Sequence, residues 1–254
     1  MNSNEEWLLT NKEEALEPNL PICDPHHHLW DFNKTYIEET YLLPDILKDT
    51  ESGHNIVSTV FIECGANDGV DQSNTWYYEK NLNWSGILIE PLKKQFWELK
   101  KNRSKKNKFF NLALCSSENE NTLLIEDDDL KSKSCIENNK KINSNIKSVN
   151  SITLTRILDE ISAPNLIDFF SLDVEGFEAN VISGGQNTLE QYSPKIMIEL
   201  DFVRHPKSDV DTLKSIFDRL DYTAFEYTFK KGKLSMTRYN FQDTPKGRNL
   251  LLMR

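Results

Sequence analysis

Glu63-Cys64-Gly65-Ala66-Asn67-Asp68-Gly69 stands directly after an apolar, β-branched run, Ile56 to Glu63, and just before a stretch of helix-compatible composition, Asp71 to Asn81. Glycines at such a junction let the backbone turn tightly and let a ligand approach with no Cβ in the way. The spacing is Gly-x-x-x-Gly rather than the Gly-x-Gly-x-x-Gly of dinucleotide binders. A pyrophosphate cradle is therefore less well supported than a site for a ligand with an adenosine and no phosphates. Glu90 ends the next strand in Ile87-Leu88-Ile89-Glu90-Pro91. A carboxylate there can accept hydrogen bonds from both hydroxyls of a ribose. A third group, Asp168-Phe169-Phe170-Ser171-Leu172-Asp173-Val174-Glu175-Gly176-Phe177-Glu178, clusters acids at the end of a buried strand. Such a cluster is costly unless the acids have partners or a chemical task. Glu63, Glu90 and Asp173 all fall at C-terminal strand ends, where open α/β sheets bind their ligands.

The elements that must position these residues alternate between strand-like and helix-like from residue 56 onward, the pattern of a parallel sheet with crossover helices. Gly86 to Glu90 reads as the second strand. Leu92 to Arg103 reads as an amphipathic helix with Leu92, Phe96 and Leu99 on one face. Phe109 to Cys115 is the third strand, Ser151 to Leu154 an extended piece, Thr155 to Ile161 a helix, and Asp168 to Asp173 the fourth main strand. Gly176 to Ser183 is a helix that Gly184–Gly185 would cap. Lys195 to Leu200 is the fifth strand. Ser208, with Asp211 three residues on, would cap a helix that buries Val210, Leu213, Phe217 and Leu220. Tyr222–Phe229, a Lys-Lys-Gly-Lys turn, Leu234–Tyr239 and Asn249–Met253 read as an antiparallel finish. Asp127 to Lys147, rich in Asn, Lys, Ser and Asp, reads as a long mobile or disordered loop.

Composition permits one large domain with a real core: 254 residues, 38% hydrophobic and 10% aromatic. No run of ~18 apolar residues suggests a membrane span. Met1 to Thr10 is acidic and polar, unlike a secretory signal. The net charge of −10 disfavours DNA or RNA as a main partner. The basic run Lys100 to Lys108 reads as a solvated helix end and loop. Cys23, Cys64, Cys115 and Cys135 are scattered without a Cys-x-x-Cys pair. They are expected to be free thiols in a reducing compartment, the cytoplasm by default, with no metal site among them.

The run from about Thr59 to Leu200 resembles the FkbM family of S-adenosylmethionine (SAM)-dependent methyltransferases. The resemblance is carried in order by FIECGANDGVDQSNTWYYEKNLNWSGILIEP, NLALC, SITLTRILDE, IDFFSLDVEGFEANVISGG and PKIMIEL, with DVEGFE the most specific piece. It implies a Rossmann-like class I methyltransferase fold over residues 56–254, with a mostly parallel seven-stranded sheet. It also implies methyl transfer to a hydroxyl, on a carbohydrate, glycan precursor or secondary metabolite. In such a site Glu63, Gly65, Asn67 and Gly69 would hold the methionine part of SAM, with Asp68 in the same loop. Glu90 would hold the ribose, and Ala113 and Leu114 would flank the adenine. Asp173 and Glu175 would face the methyl group and the acceptor.

Residues 1–55 fall outside this alternation. Asp24-Pro25-His26-His27-His28-Leu29-Trp30-Asp31 holds a His-x-His pair whose members share one side of a strand. The stretch from Ile22 through Cys64 resembles the opening of amidohydrolase-type metal-dependent hydrolases. That family needs a (β/α)₈ barrel of ~200 residues or more, and its later ligands have no place here. The piece is read as a remnant fused inside the Ile56–Glu63 strand, with no metal assigned.

Methyl transfer to an alcohol needs alignment, exclusion of water and a general base. Asp173 ranks first for the base, with Glu175, Glu178 and His205 as candidates. His205 in Asp201-Phe202-Val203-Arg204-His205-Pro206 reads first as a surface-loop histidine. Rival readings are a non-catalytic SAM-binding scaffold and an NAD-dependent oxidoreductase, the latter disfavoured by the glycine spacing.

Overall fold

The computed structural model describes residues 21–22, 55–56, 60–126, 135–136, 146–161, 167–200, 205–230, 233–241 and 248–254. The chain divides into two compact units, residues 1–59 and 60–254. In the first, β1 (Pro21–Ile22) and β2 (Asn55–Ile56) pair in parallel. The His26–His28 pair, and most of the amidohydrolase-like stretch, lie outside the described residues. The Ile56–Glu63 run is divided, because Ile56 pairs with Ile22. The first strand of the second unit is β3 (Val60–Cys64).

The second unit is an α/β fold. Its parallel strands are β3, β4 (Ser85–Ile89), β5 (Lys108–Phe110), β10 (Phe169–Leu172) and β11 (Lys195–Leu200). Antiparallel strands β12 (Thr223–Lys230), β13 (Lys233–Arg238) and β14 (Arg248–Met253) complete the sheet, in the order β13-β12-β14-β11-β10-β3-β4-β5. The sheet therefore has eight described strands rather than seven; the expected antiparallel finish is a hairpin plus a return strand.

The strands are apolar on both faces because helices cover both. Phe61, Leu88 and Phe169 pack with Leu99 on one face. Ile62, Cys64, Ile87, Ile89, Phe170, Leu172, Ile196 and Ile198 pack into the larger cluster on the other. Fully burying such a side chain contributes about 1.5–3 kcal/mol before ordering is counted. Helices α1 (Trp76–Leu82) and α2 (Lys93–Asn102) supply Tyr78, Phe96 and Leu99 to the first face. Leu92, expected beside Phe96, caps α2 and belongs to the other cluster. Helices α3 (Leu154–Glu160), α4 (Glu178–Gly184), α5 (Gln186–Tyr192) and α6 (Lys207–Arg219) contribute Ile157, Val181, Leu189 and Phe217 to that larger cluster.

Three expectations are corrected. The Phe109–Cys115 run is two strands, with β5 in the main sheet and β6 (Ala113–Leu114) in a second sheet of order β6-β9-β7-β8. That sheet includes β7 (Asn121–Glu126), β8 (Cys135–Ile136) and β9 (Ile146–Ile152). The chain peels away at Asn111, whose amide donates to the carbonyls of Glu90 and Pro91, both at 2.9 Å. Residues 127–134 and 137–145 of the expected loop lie outside the described residues, but Cys135–Ile136 and Ile146–Lys147 are strand. Second, Gly184–Gly185 is not a left-handed cap, since Gly185 has φ −105° and α5 begins at once. Gly184 is needed for approach: a Cβ there would lie 2.0 Å from the Cys115 carbonyl oxygen. Third, Ser208 lies inside the first turn of α6, which starts directly after Pro206, and its hydroxyl donates to the Asp209 carboxylate at 3.2 Å rather than capping the helix. Proline's fixed φ sets the entry to that helix instead.

At the β3–β4 pairing of Phe61 with Gly86, an added Cβ would lie 2.1 Å from the Phe61 carbonyl oxygen and 2.5 Å from its ring. Gly86→Ala is expected to destabilise the fold by about 1–3 kcal/mol or more. Gly185→Ala meets the Leu154 side chain at 3.1 Å, which can shift, so a smaller loss is expected. Urea unfolding midpoints of the two variants check this ranking; equal losses would contradict it.

Candidate functional site

The chain runs β3 to β4 to β5 in one direction and returns to place β10 and β11 on the other side of β3. The order reverses between β3 and β10, and ligand crevices open at such a point. Gly65 lies there with φ +79°. A Cβ on it would stand 1.8 Å from the Asp173 carbonyl oxygen, so only glycine fits. The Asp173 N–H donates to the Cys64 carbonyl at 3.1 Å, joining the two strand ends.

The loop after β3 takes left-handed backbone at Gly65, Asn67, Gly69 and Gln72. Its N–H groups turn into the protein. Gly65 and Ala66 both donate to the Ile89 carbonyl at 3.1 Å, and Gly69 donates to Ala66. Val70 and Asp71 donate to Asp68 Oδ1 at 2.8 Å. Asn67 N donates to Glu90 Oε2 at 2.9 Å, while Glu90 Oε1 accepts from Leu92 N at 2.8 Å. Glu90 is thus a buried brace, 6% exposed, between the loop and the start of α2.

Glu63 follows the strand alternation and faces α1 and α2. Its carboxylate, 3% exposed, accepts from Ser73 Oγ at 2.8 Å, Asn74 N at 3.0 Å, Thr75 Oγ1 at 2.7 Å and Arg103 Nη1 at 3.1 Å. Arg103 also donates from Nε to Glu79 at 2.7 Å. Gly69 backs onto α2, where a Cβ would meet Leu99 at 2.6 Å and Arg103 at 2.7 Å.

The acidic end is built differently. Glu178, 1% exposed, accepts from Val174 N and Gly176 N, both at 2.9 Å. It thereby holds Glu175 (φ +57°) and Gly176 (φ +107°) in left-handed backbone, a conformation that costs of order 1 kcal/mol or more for a non-glycine residue. His205 Nε2 lies 2.5 Å from Glu178 Oε2. His205 is buried, 2% exposed, which corrects its reading as a surface-loop residue; the signal was hidden because its partner is distant in sequence. Asp173, Glu175 and Glu199 place one carboxylate oxygen each within 4.8 Å of one another, and all three are half-buried. Among the described residues this is one group with the composition to hold a cation.

Cys64 links these parts. Burial pushes its thiol well up, and the charges of Glu90, Glu178 and Asp173 add to that, against a hydrogen bond with the Leu114 backbone. The same neighbours place Leu114, with buried Ala113 beside it, at the strand ends where Gly65, Glu90 and Asp173 gather. Asp68 instead closes its own turn in exposed bonds. Both described thiols, Cys64 and Cys115, are free and buried. The sequence reading missed Arg103, Glu79 and Glu199. Arg103 stood inside a basic run, and only the burial of the two residues around it, Leu99 and Gly69, distinguishes it from its solvated neighbours.

A family model described as the methyltransferase FkbM domain matches residues 63–229. No curated protein matches the chain. Among solved structures, methyltransferase FkbM from Methylobacillus flagellatus KT is 14% identical, with a TM-score of 0.48 over 78% of this chain and 44% of that one. The chain therefore spans less than half the length of that protein. Precorrin-6y C5,15-methyltransferase from Geobacter metallireducens GS-15 is 9% identical, with a TM-score of 0.39 over 87% of this chain and 91% of that one. No described helix is long and apolar enough to cross a membrane.

Burial alone would push the Glu79 carboxyl up. The Arg103 guanidinium, the Ser104 N–H and the Asn107 amide outweigh it and hold the carboxyl below the usual carboxylate range. A depressed carboxyl contributes stability above its unfolded value and loses it as pH falls through the folded one. Glu79→Gln is therefore expected to lower the urea midpoint most at about pH 7, with the gap to the parent narrowing toward about pH 3. A gap that widens on acidification would contradict this.

Proposed function

The chain belongs to the FkbM methyltransferase domain family, and from that membership we propose that it moves a methyl group from SAM to a hydroxyl. The acceptor class is a carbohydrate, a glycan precursor or a secondary metabolite. The domain responsible lies within the second compact unit, residues 60–254, with residues 1–59 as an extension. A reducing compartment such as the cytoplasm suits the free, buried thiols of Cys64 and Cys115.

The observation that carries this reading is the direction of the loop's N–H groups. Phosphate cradles work by pointing backbone N–H groups at the ligand. Here those of Gly65, Ala66, Asn67, Gly69, Val70 and Asp71 are bonded within the protein. The residues present therefore suit a nucleoside without phosphates, which favours SAM over NAD. A carboxylate offers about four acceptor directions, so Glu90 can brace Asn67 and take the ribose hydroxyls together. Gly65 and Asn67 would line the methionine part, with Glu63 and Gly69 supporting them from behind. Leu114 and Ala113 would flank the adenine.

When bound, SAM supplies an already activated methyl carbon for in-line displacement by the acceptor oxygen. The protein must align that oxygen and receive its proton. Asp173 at the end of β10 is the group assigned to the proton. Glu175 and Glu199, beside it, give the same end of the crevice a negative field that favours a positive sulfonium. Glu178 fixes the 174–176 turn that presents Glu175, and it engages His205 Nε2. His205 is accordingly given a supporting role rather than that of the base.

Calorimetric titration with S-adenosylhomocysteine is expected to give micromolar binding, and Glu90→Ala is expected to weaken it at least tenfold, about 1.4 kcal/mol. NAD, titrated in parallel, is expected to give no heat of binding. Binding of NAD but not S-adenosylhomocysteine would overturn the reading. With labelled SAM and a panel of carbohydrate acceptors, Asp173→Asn is expected to slow transfer by about 10²-fold or more, while S-adenosylhomocysteine affinity stays within threefold of the parent. An Asp173→Asn variant of undiminished rate would remove the residue from proton transfer.

A further inference from the structure

We infer that Arg103 is the positioning residue that shapes the loop after β3 for the amino-acid end of the cofactor; the inference rests on the SAM reading above. Arg103 follows α2 directly and is only 4% exposed. Its guanidinium stands 5.5 Å from the Phe61 ring centroid. Nη1 donates to Glu63 at 3.1 Å, to the Gly69 carbonyl at 3.2 Å and to Ser73 Oγ at 3.1 Å. Nη2 donates to Thr75 Oγ1 at 2.9 Å, and Nε to Glu79 at 2.7 Å. Glu63 in turn collects Ser73, Asn74 N and Thr75. One cation thus gathers both ends of the stretch from Gly69 to Thr75.

The loop needs such ties. Four of its eight residues from Gly65 to Gln72 have positive φ, and a backbone of that kind persists only where its surroundings over-determine it. Glu90 ties the near half through Asn67 N. Arg103 ties the far half. The two ties differ in what they hold: Glu90, where the ribose is placed, braces Asn67 N, whereas Arg103 holds Glu63 and the Gly69 carbonyl, the groups assigned to support the methionine part from behind. Lysine cannot replace the arginine here, because a point ammonium lacks the planar five-donor fork that reaches Glu63, Glu79 and the loop at once.

The test uses the full chain and two probes. S-adenosylhomocysteine carries the amino-acid end; 5′-methylthioadenosine has the same nucleoside and lacks it. Two variants are compared with the parent. Arg103→Lys keeps the charge. The triple variant Arg103→Met, Glu63→Gln, Glu79→Gln removes the cation together with the two carboxylates it neutralises, so no buried charge is left unpaired. Both are expected to bind S-adenosylhomocysteine at least tenfold more weakly and 5′-methylthioadenosine within twofold of the parent. Equal weakening of both probes, unchanged affinity for both, or loss of folded structure in both variants by circular dichroism would overturn the inference, because each leaves Arg103 with a purely structural role or none. A parent that fails to bind S-adenosylhomocysteine would instead overturn the SAM reading beneath it.

Discussion

The ends of β3 and β10 lie so close that a Cβ on Gly65 would overlap the Asp173 carbonyl at 1.8 Å. That contact is the constraint on which the site depends. It exists because the chain reverses its direction of winding between these two strands, and they are neighbours in the sheet although more than a hundred residues separate them. Parallel pairing brings the loop after β3 and the turn after β10 to the same edge. Glycine is the residue that allows the two backbones to touch there, and the hydrogen bond from Asp173 N to the Cys64 carbonyl fixes the contact. A glycine in this place serves the meeting of two strand ends first, and whatever binds in the crevice second.

Around that contact the acids separate by burial into two kinds. Glu63, Glu79, Glu90 and Glu178 are nearly inaccessible, and each has several donors in the protein. A carboxylate so deep would be prohibitive without them, so these four hold loops and helices in place. Asp173, Glu175 and Glu199 are half-buried and converge on one another. Three acids so placed make that end of the sheet edge negative. Burial therefore distinguishes the acids that hold loops and helices in place from those left half-open at the strand ends, a distinction invisible to a motif in which Asp173, Glu175 and Glu178 stand together in six residues.

Much of this was legible in the sequence, and the reasons for the rest are specific. Four of the five parallel strands, β3, β4, β10 and β11, announced themselves as short apolar runs closed by Gly, Pro or acid, and the structure places β4 and β11 within a residue of the expected bounds. The brace at Glu90 was legible as a position, a carboxylate at a strand end, but its hold on Asn67 N was not, because backbone donors leave no trace in composition. The second sheet was missed because β7 alternates Leu123 and Ile125 inward over only six residues, and its partner β9 reads as a polar Lys-Ser-Val-Asn-Ser stretch. Neither strand is persuasive alone; the pairing of Asn121–Glu126 with Ile146–Ser151 is what stabilises both. Arg103 was hidden for the opposite reason. In a run with Lys100, Lys101, Lys105, Lys106 and Lys108 it looks like one more solvated cation, and only the helical phase that places it one turn after buried Leu99 sends it inward.

The turn after β10 shows why a strained backbone can persist beside this crevice. Glu175 sits in left-handed conformation although it has a Cβ, and Gly176 follows it there. Glu178 accepts the N–H groups on both sides of Glu175, from Val174 and Gly176, and its second oxygen also meets His205. The strain of about 1–3 kcal/mol is offset by two charge-assisted hydrogen bonds to a carboxylate that would itself be destabilised if it had no donors at that depth. The consequence is a fixed direction for the Glu175 side chain, beside Asp173 and Glu199. An unstrained turn would let that side chain swing toward water. The left-handed one holds it at the acidic end of the crevice, with the direction set by a residue three positions further on and by a histidine from beyond β11.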